Sequence, residues 1–85
     1  MISEYRFTKQ ATKDLARLPT SVQKKIFSKL DYFIESSRLV EFAKKMVHHQ
    51  LGEYRFRVSD YRTIFDVEGT YLRILTVGHR RGIYR

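Results

Sequence analysis

At 85 residues the chain is long enough for one modest core and too short for two, so residues 1–85 are expected to form a single domain. Its 17 lysines and arginines against 9 acidic residues leave a net charge of +8, which points to a polyanionic partner. No cysteine is present, which excludes disulfides and thiolate metal sites, and no apolar run approaches the roughly 20 residues of a membrane span.

The N-terminus begins with strand-like Ile2 to Phe7 in place of a charged-then-apolar secretory pattern, so a cytoplasmic location is expected. Within it Tyr5 and Phe7 alternate with Glu4 and Arg6, as on a half-buried strand. Thr8 is placed to cap a first helix over about residues 9–18, where Ala11, Leu15 and Leu18 form one stripe and Pro19 ends it. Thr20 and Gln23 have capping-box spacing, and Val22, Ile26, Leu30, Phe33 and Ile34 then predict a longer amphipathic helix to about Ser37.

From Ser36 to Gln50 no period dominates, and the stretch reads as a loop pinned by Leu39, Val40, Phe42, Met46 and Val47. After Gly52 the alternation is strict: Tyr54, Phe56 and Val58 face one way, Arg55 and Arg57 the other. Ser59-Asp60 turns into a strand from Tyr61 to Val67, and Glu68-Gly69 into a last one from Tyr71 to Val77. The expected class is α+β: an N-terminal strand, a two-helix hairpin, then a three-stranded antiparallel meander with both helices on one face.

That packing sends Arg55 and Arg57 to the face away from the helices. Arg62, Arg73, Arg80, Arg81 and Arg85 join them in the last third of the chain. Singly, each reads equally well as a solvated charge; as a set they favour phosphate binding. Of the interleaved aromatics, most read as core. Tyr84, beside Arg85, has two readings: a ring that stacks on an exposed base, or one folded back onto an apolar edge. There is no glycine-rich phosphate loop, no grouping at metal-ligand spacing and no nucleophile with its base, and neither metal nor cofactor is expected. His48 and His49 read as solvated. His79, next to Arg80 and Arg81, is either a proton-transfer group or a strand-end residue.

Three segments together, Leu51-Gly52-Glu53-Tyr54-Arg55-Phe56-Arg57-Val58, Asp60-Tyr61-Arg62-Thr63-Ile64-Phe65 and Val77-Gly78-His79-Arg80-Arg81-Gly82-Ile83-Tyr84-Arg85, resemble the strand motifs of the RelE/ParE toxin superfamily, RelE branch. The resemblance extends to the order of elements. It implies the toxin of a type II toxin–antitoxin system, an endoribonuclease that cuts messenger RNA in the A site of the 70S ribosome. The implied chemistry needs no metal, the substrate's own 2′-hydroxyl attacking the adjacent phosphate. By position it assigns the catalytic set to Arg55, Arg57, Arg62, Arg80 and Tyr84. The clustering of charge adds Arg73, Arg81 and Arg85 to Arg55 and Arg57 as expected RNA contacts, and His79, an imidazole among arginines, is the candidate proton carrier on its own chemistry. Several family members carry lysine where this chain has Arg55 and Arg57, and arginine is a poor general base. The implied partner is a cognate acidic antitoxin in a hetero-oligomer. Two alternatives are a ParE-like inhibitor of DNA gyrase and a non-catalytic RNA-binding module.

Overall fold

The computed structural model describes residues 2–36, 44–45 and 52–82. Strand β1 (Glu4–Phe7) is followed by helices α1 (Lys9–Ala16) and α2 (Thr20–Ser36), a two-residue strand β2 (Lys44–Lys45), and strands β3 (Tyr54–Val58), β4 (Tyr61–Glu68) and β5 (Tyr71–His79). The order across the sheet is β1-β5-β4-β3-β2. The meander β3-β4-β5 is antiparallel as expected, and β1 joins it parallel to β5, Glu4 opposite Tyr71 and Phe7 opposite Ile74.

One cluster unites the two helices with the sheet: Ala11 from α1 and Val22, Ile26, Leu30 and Phe33 from α2 meet Phe56, Val58, Phe65, Leu72, Ile74 and Val77. The alternation of β3 follows from this burial, with Phe56 and Val58 inside and Arg57 exposed. Thr8 caps α1 as predicted, its hydroxyl accepting from the Ala11 amide at 3.1 Å and donating to the Leu75 carbonyl at 3.1 Å.

Several expectations are corrected. The loop assigned to residues 36–50 contains β2, which pairs Lys44 with Arg55 and Lys45 with Tyr54 at the sheet edge; residues 37–43 and 46–50 lie outside the described residues. The first helix ends at Ala16, not Leu18. Thr20 and Gln23 do not form a capping box: the Pro19 carbonyl takes the first helical bonds, from the Val22 and Gln23 amides, and the Gln23 side chain donates to the Leu18 carbonyl. The second hairpin turn is Gly69-Thr70, because β4 runs through Glu68 and Gly69 supplies the left-handed φ of 56°. Finally β5 continues past Val77 to His79.

A bulge interrupts the β4–β5 ladder. Phe65 faces Ile74 and Ile64 faces Thr76, which leaves Leu75 as the extra residue. Helix α1 holds it: the Asp14 carboxylate accepts from the Thr76 hydroxyl at 2.8 Å and the Val77 amide at 3.2 Å. Chain entering β3 passes closely over this region, since a Cβ on Gly52 would stand 2.7 Å from Ile64 and 2.9 Å from Leu75. The Glu53 amide donates to Asp66 at 2.8 Å beside it. No helix among the described residues is long and apolar enough to cross a membrane.

Candidate functional site

Residues directly opposite in an antiparallel pair project to the same face, and so do residues two apart on one strand. Arg57 faces Arg62 across β3 and β4, and Arg55 lies two residues before Arg57, so the fold itself places all three on the face away from the core. They line a cleft of about 430 Å³ with Lys29, Lys44 and Phe56, where β3 runs on past the end of β2. No carboxylate lines it among the described residues.

Five cations around one opening is an arrangement that a core or a solvated surface has no use for, because they repel one another. Arg62 and Lys29 are both partly withdrawn from solvent. Arg62 is half-buried and its Nη1 is shielded from solvent without a hydrogen-bond partner. Lys29, on α2, donates from Nζ to the Arg57 carbonyl at 3.0 Å and stands 5.5 Å from the centre of the Phe56 ring. Burial, and then the charge of Arg57, push its ammonium below the usual lysine range. A multivalent anion such as a sugar–phosphate backbone complements this set, supplying an acceptor for the Arg62 donor and cancelling the repulsion.

Arg80 is brought to the same end of the sheet. Its amide donates to the Asp60 carbonyl at 2.8 Å, pinning the segment after β5 beside the β3–β4 turn, while its guanidinium lies 3.8 Å from the Asp60 carboxylate with both side chains at least half exposed. His79 is directed elsewhere. It pairs with Tyr61, their rings meeting edge-on at 5.5 Å, and Tyr61 packs against the core, so the imidazole stands on the helix side and not with Arg62. Its Nδ1 accepts from the Arg81 amide at 3.2 Å, and the Arg81 side chain is exposed.

Arg73 is remote from the cleft. Seven residues before Arg80, it lies roughly 20 Å along the strand, opposite Arg6 of β1, and contacts Glu68 at 3.5 Å. With Arg6, Thr8, Lys9 and Tyr71 it lines a second, smaller cleft of about 250 Å³. There Arg6 is engaged by Glu4 and lies over the Tyr71 ring at 4.1 Å. Tyr84 and Arg85, like His48 and His49, lie outside the described residues.

Sequence reasoning missed Lys29 and Lys44. The available signal for Lys29 was its place on the flank of the Val22, Ile26, Leu30, Phe33 stripe, from which a long side chain reaches around the helix. Lys44 had none, lying in a stretch without period.

Comparison with known proteins bears on this geometry. No curated protein matches the chain by sequence. Among solved structures, the RelB–RelE antitoxin–toxin complex from Methanococcus jannaschii contains a chain 30% identical, with 92% of this chain and 93% of that chain covered and a TM-score of 0.74. A chain of the archaeal RelE–RelB complex from Pyrococcus horikoshii OT3 is 26% identical, with 94% and 97% covered and a TM-score of 0.72. One in the toxin–antitoxin complex RelBE2 from Mycobacterium tuberculosis is 27% identical, with 94% and 100% covered and a TM-score of 0.66. The model of the family described as ParE toxin of type II toxin–antitoxin system, parDE, matches residues 5–84. The chain therefore belongs to the ParE toxin family, within the RelE/ParE superfamily, and is a type II toxin–antitoxin toxin.

Proposed function

We propose that this toxin is a ribosome-dependent endoribonuclease that cuts messenger RNA in the A site, the substrate's 2′-hydroxyl attacking the adjacent phosphate without a metal. The observation that carries this reading is the cleft in which Arg55, Arg57 and Arg62 share one face with Lys29 and Lys44 beside them. The five-coordinate phosphorus of the transition state bears more negative charge than the bound phosphodiester, and cations fixed on a sheet favour it selectively. Arg80, held at the rim by its backbone, reaches the same phosphate from the other side of the turn, and Tyr84 stacks on the base to align the attack. Arg73, Arg81 and Arg85 add attraction for the polyanion outside the reacting centre. The toxin acts in the cytoplasm, and an acidic antitoxin neutralises it in a hetero-oligomer by covering the basic cleft; relatives solved as toxin–antitoxin complexes support that partner.

The match to the ParE family favours a second reading, a toxin that poisons DNA gyrase. Translating ribosomes programmed with a defined message separate the two. Cuts confined to the A-site codon support the endoribonuclease. Blocked supercoiling by gyrase with intact message supports the other, and RNA binding with neither effect marks a non-catalytic module.

A further inference from the structure

Cleaving an RNA strand releases the 5′-oxygen as an alkoxide, which needs a proton as the P–O bond breaks. Guanidinium groups, charged at any ordinary pH, are poor donors for that step. With Arg55, Arg57 and Arg62 around the cleft, its proton donor has to be a lysine or come from elsewhere.

Lys29 is built for the part. From α2 its side chain reaches the cleft, where Nζ lies over the Phe56 ring and donates to the Arg57 carbonyl. Lys44, the other lysine, is exposed on the two-residue strand. Among the described residues, the charged groups that line the cleft with Lys29 are Arg55 and Arg57 from β3, Arg62 from β4 and Lys44 from β2, with Lys25 one turn earlier on α2. Burial and Arg57 make its ammonium a readier acid than a solvated lysine, whose usual value is 10.5.

We propose that Lys29 is the general acid of the cleft, delivering its Nζ proton to the leaving 5′-oxygen of the RNA. This rests on the endoribonuclease reading. In the step, the 2′-hydroxyl loses its proton to water as its oxygen bonds to phosphorus, and the bond from phosphorus to the 5′-oxygen breaks. That oxygen takes the Nζ proton, leaving a 2′,3′-cyclic phosphate, a free 5′-hydroxyl and a neutral amine, which recovers a proton from water. Among the described residues Nζ makes one bond, to the Arg57 carbonyl, which fixes it and leaves other hydrogens for substrate.

The test is single-turnover cleavage on programmed ribosomes, comparing a message with an ordinary scissile linkage against one with sulfur in place of the bridging 5′-oxygen. A thiolate departs without being protonated. Lys29→Arg keeps the charge and the length but cannot titrate, and is expected to slow the oxygen substrate by about 10²–10⁴-fold while cutting the sulfur substrate within a few-fold of the parent. The parent's rate on oxygen should fall at alkaline pH as Nζ loses its proton, and the fall should be absent with sulfur. Lys29→Gln serves as the second variant should circular dichroism show the first misfolded. Equal losses on both substrates would reassign Lys29 to binding or positioning and overturn the proposal, as would an oxygen rate within a few-fold of the parent. If the parent cuts neither message, the endoribonuclease reading itself fails and the acid role with it.

Discussion

Replacing Arg62 by methionine is expected to stabilise the protein and silence it. Arg62 faces Arg57 across the strands, and like charges in that position oppose pairing by roughly 0.2–1 kcal/mol. Its Nη1 is a solvent-shielded donor without a partner, a defect that costs about 1–3 kcal/mol in a fully buried group. Because the residue is only half-buried, the low end of both ranges applies, about 1 kcal/mol together. Methionine retains an unbranched apolar stem against the sheet, so little packing is lost. For a domain of this size the gain corresponds to a rise of about 4–8 °C in Tm. Thermal unfolding followed by circular dichroism in low salt measures it, and repeating the scan in about 1 M salt, where charges are screened beyond ~3 Å, removes the repulsive share and leaves the donor's share. Induced expression should meanwhile give no growth arrest. A Tm at or below that of the parent in low salt would refute the reasoning, since Arg62 would then contribute to the fold instead of opposing it.

Gly52→Ala should lower stability by about 1–3 kcal/mol, because its methyl group would stand 2.7 Å from the fully buried Ile64; an unchanged melting curve would mean that the entering chain shifts freely. Arg80→Ala should abolish growth arrest with Tm moved by no more than about 1 °C, given that its exposed, 3.8 Å ion pair contributes little; loss of folding would make Arg80 structural. Burial first, and then the bond to Asp31, hold the Tyr5 phenol above its usual 10.0, so the folded state favours the protonated ring and this contribution is present below that pH. As pH rises from 10 through the folded value the parent should lose stability relative to Tyr5→Phe, and parallel denaturant midpoints across that window would disprove the link.

The parts of this fold that could be read from sequence are those where one face is buried. Phe56 and Val58 had to alternate with Arg55 and Arg57 because a strand covered on one side imposes period two, and α2 showed its stripe for the same reason. What escaped is what no local rule encodes. β2 is two residues long, too short to display alternation, and exists because β3 offers an open edge. The parallel pairing of β1 with β5 joins segments 67 residues apart, and the capping box failed because Pro19 starts the helix one residue before Thr20. In the site, sequence left His79 as either a proton carrier or a strand-end residue, and its edge-on contact with the Tyr61 ring turns it to the helix side. Lys29 stayed hidden because a lysine beside an apolar stripe looks the same whether water or a phosphate lies beyond it.

The position of β5 inside the sheet has a consequence for how the protein is made. Flanked by β1 on one side and β4 on the other, it joins β1 to the meander, and among the described elements it is the last in chain order. A nascent chain that has emitted β1 and both helices holds their apolar sides with nothing to cover them, and β1 has no partner until residues 71–74 arrive. Pairings this distant in sequence form slowly, and only once both segments have been made. Arg80 follows β5, so the basic cleft lacks its rim until β5 has been made. Folding is therefore deferred until β5 has been made, and a chain interrupted before residue 71 lacks the strand that ties β1 to the sheet and stays open to proteolysis.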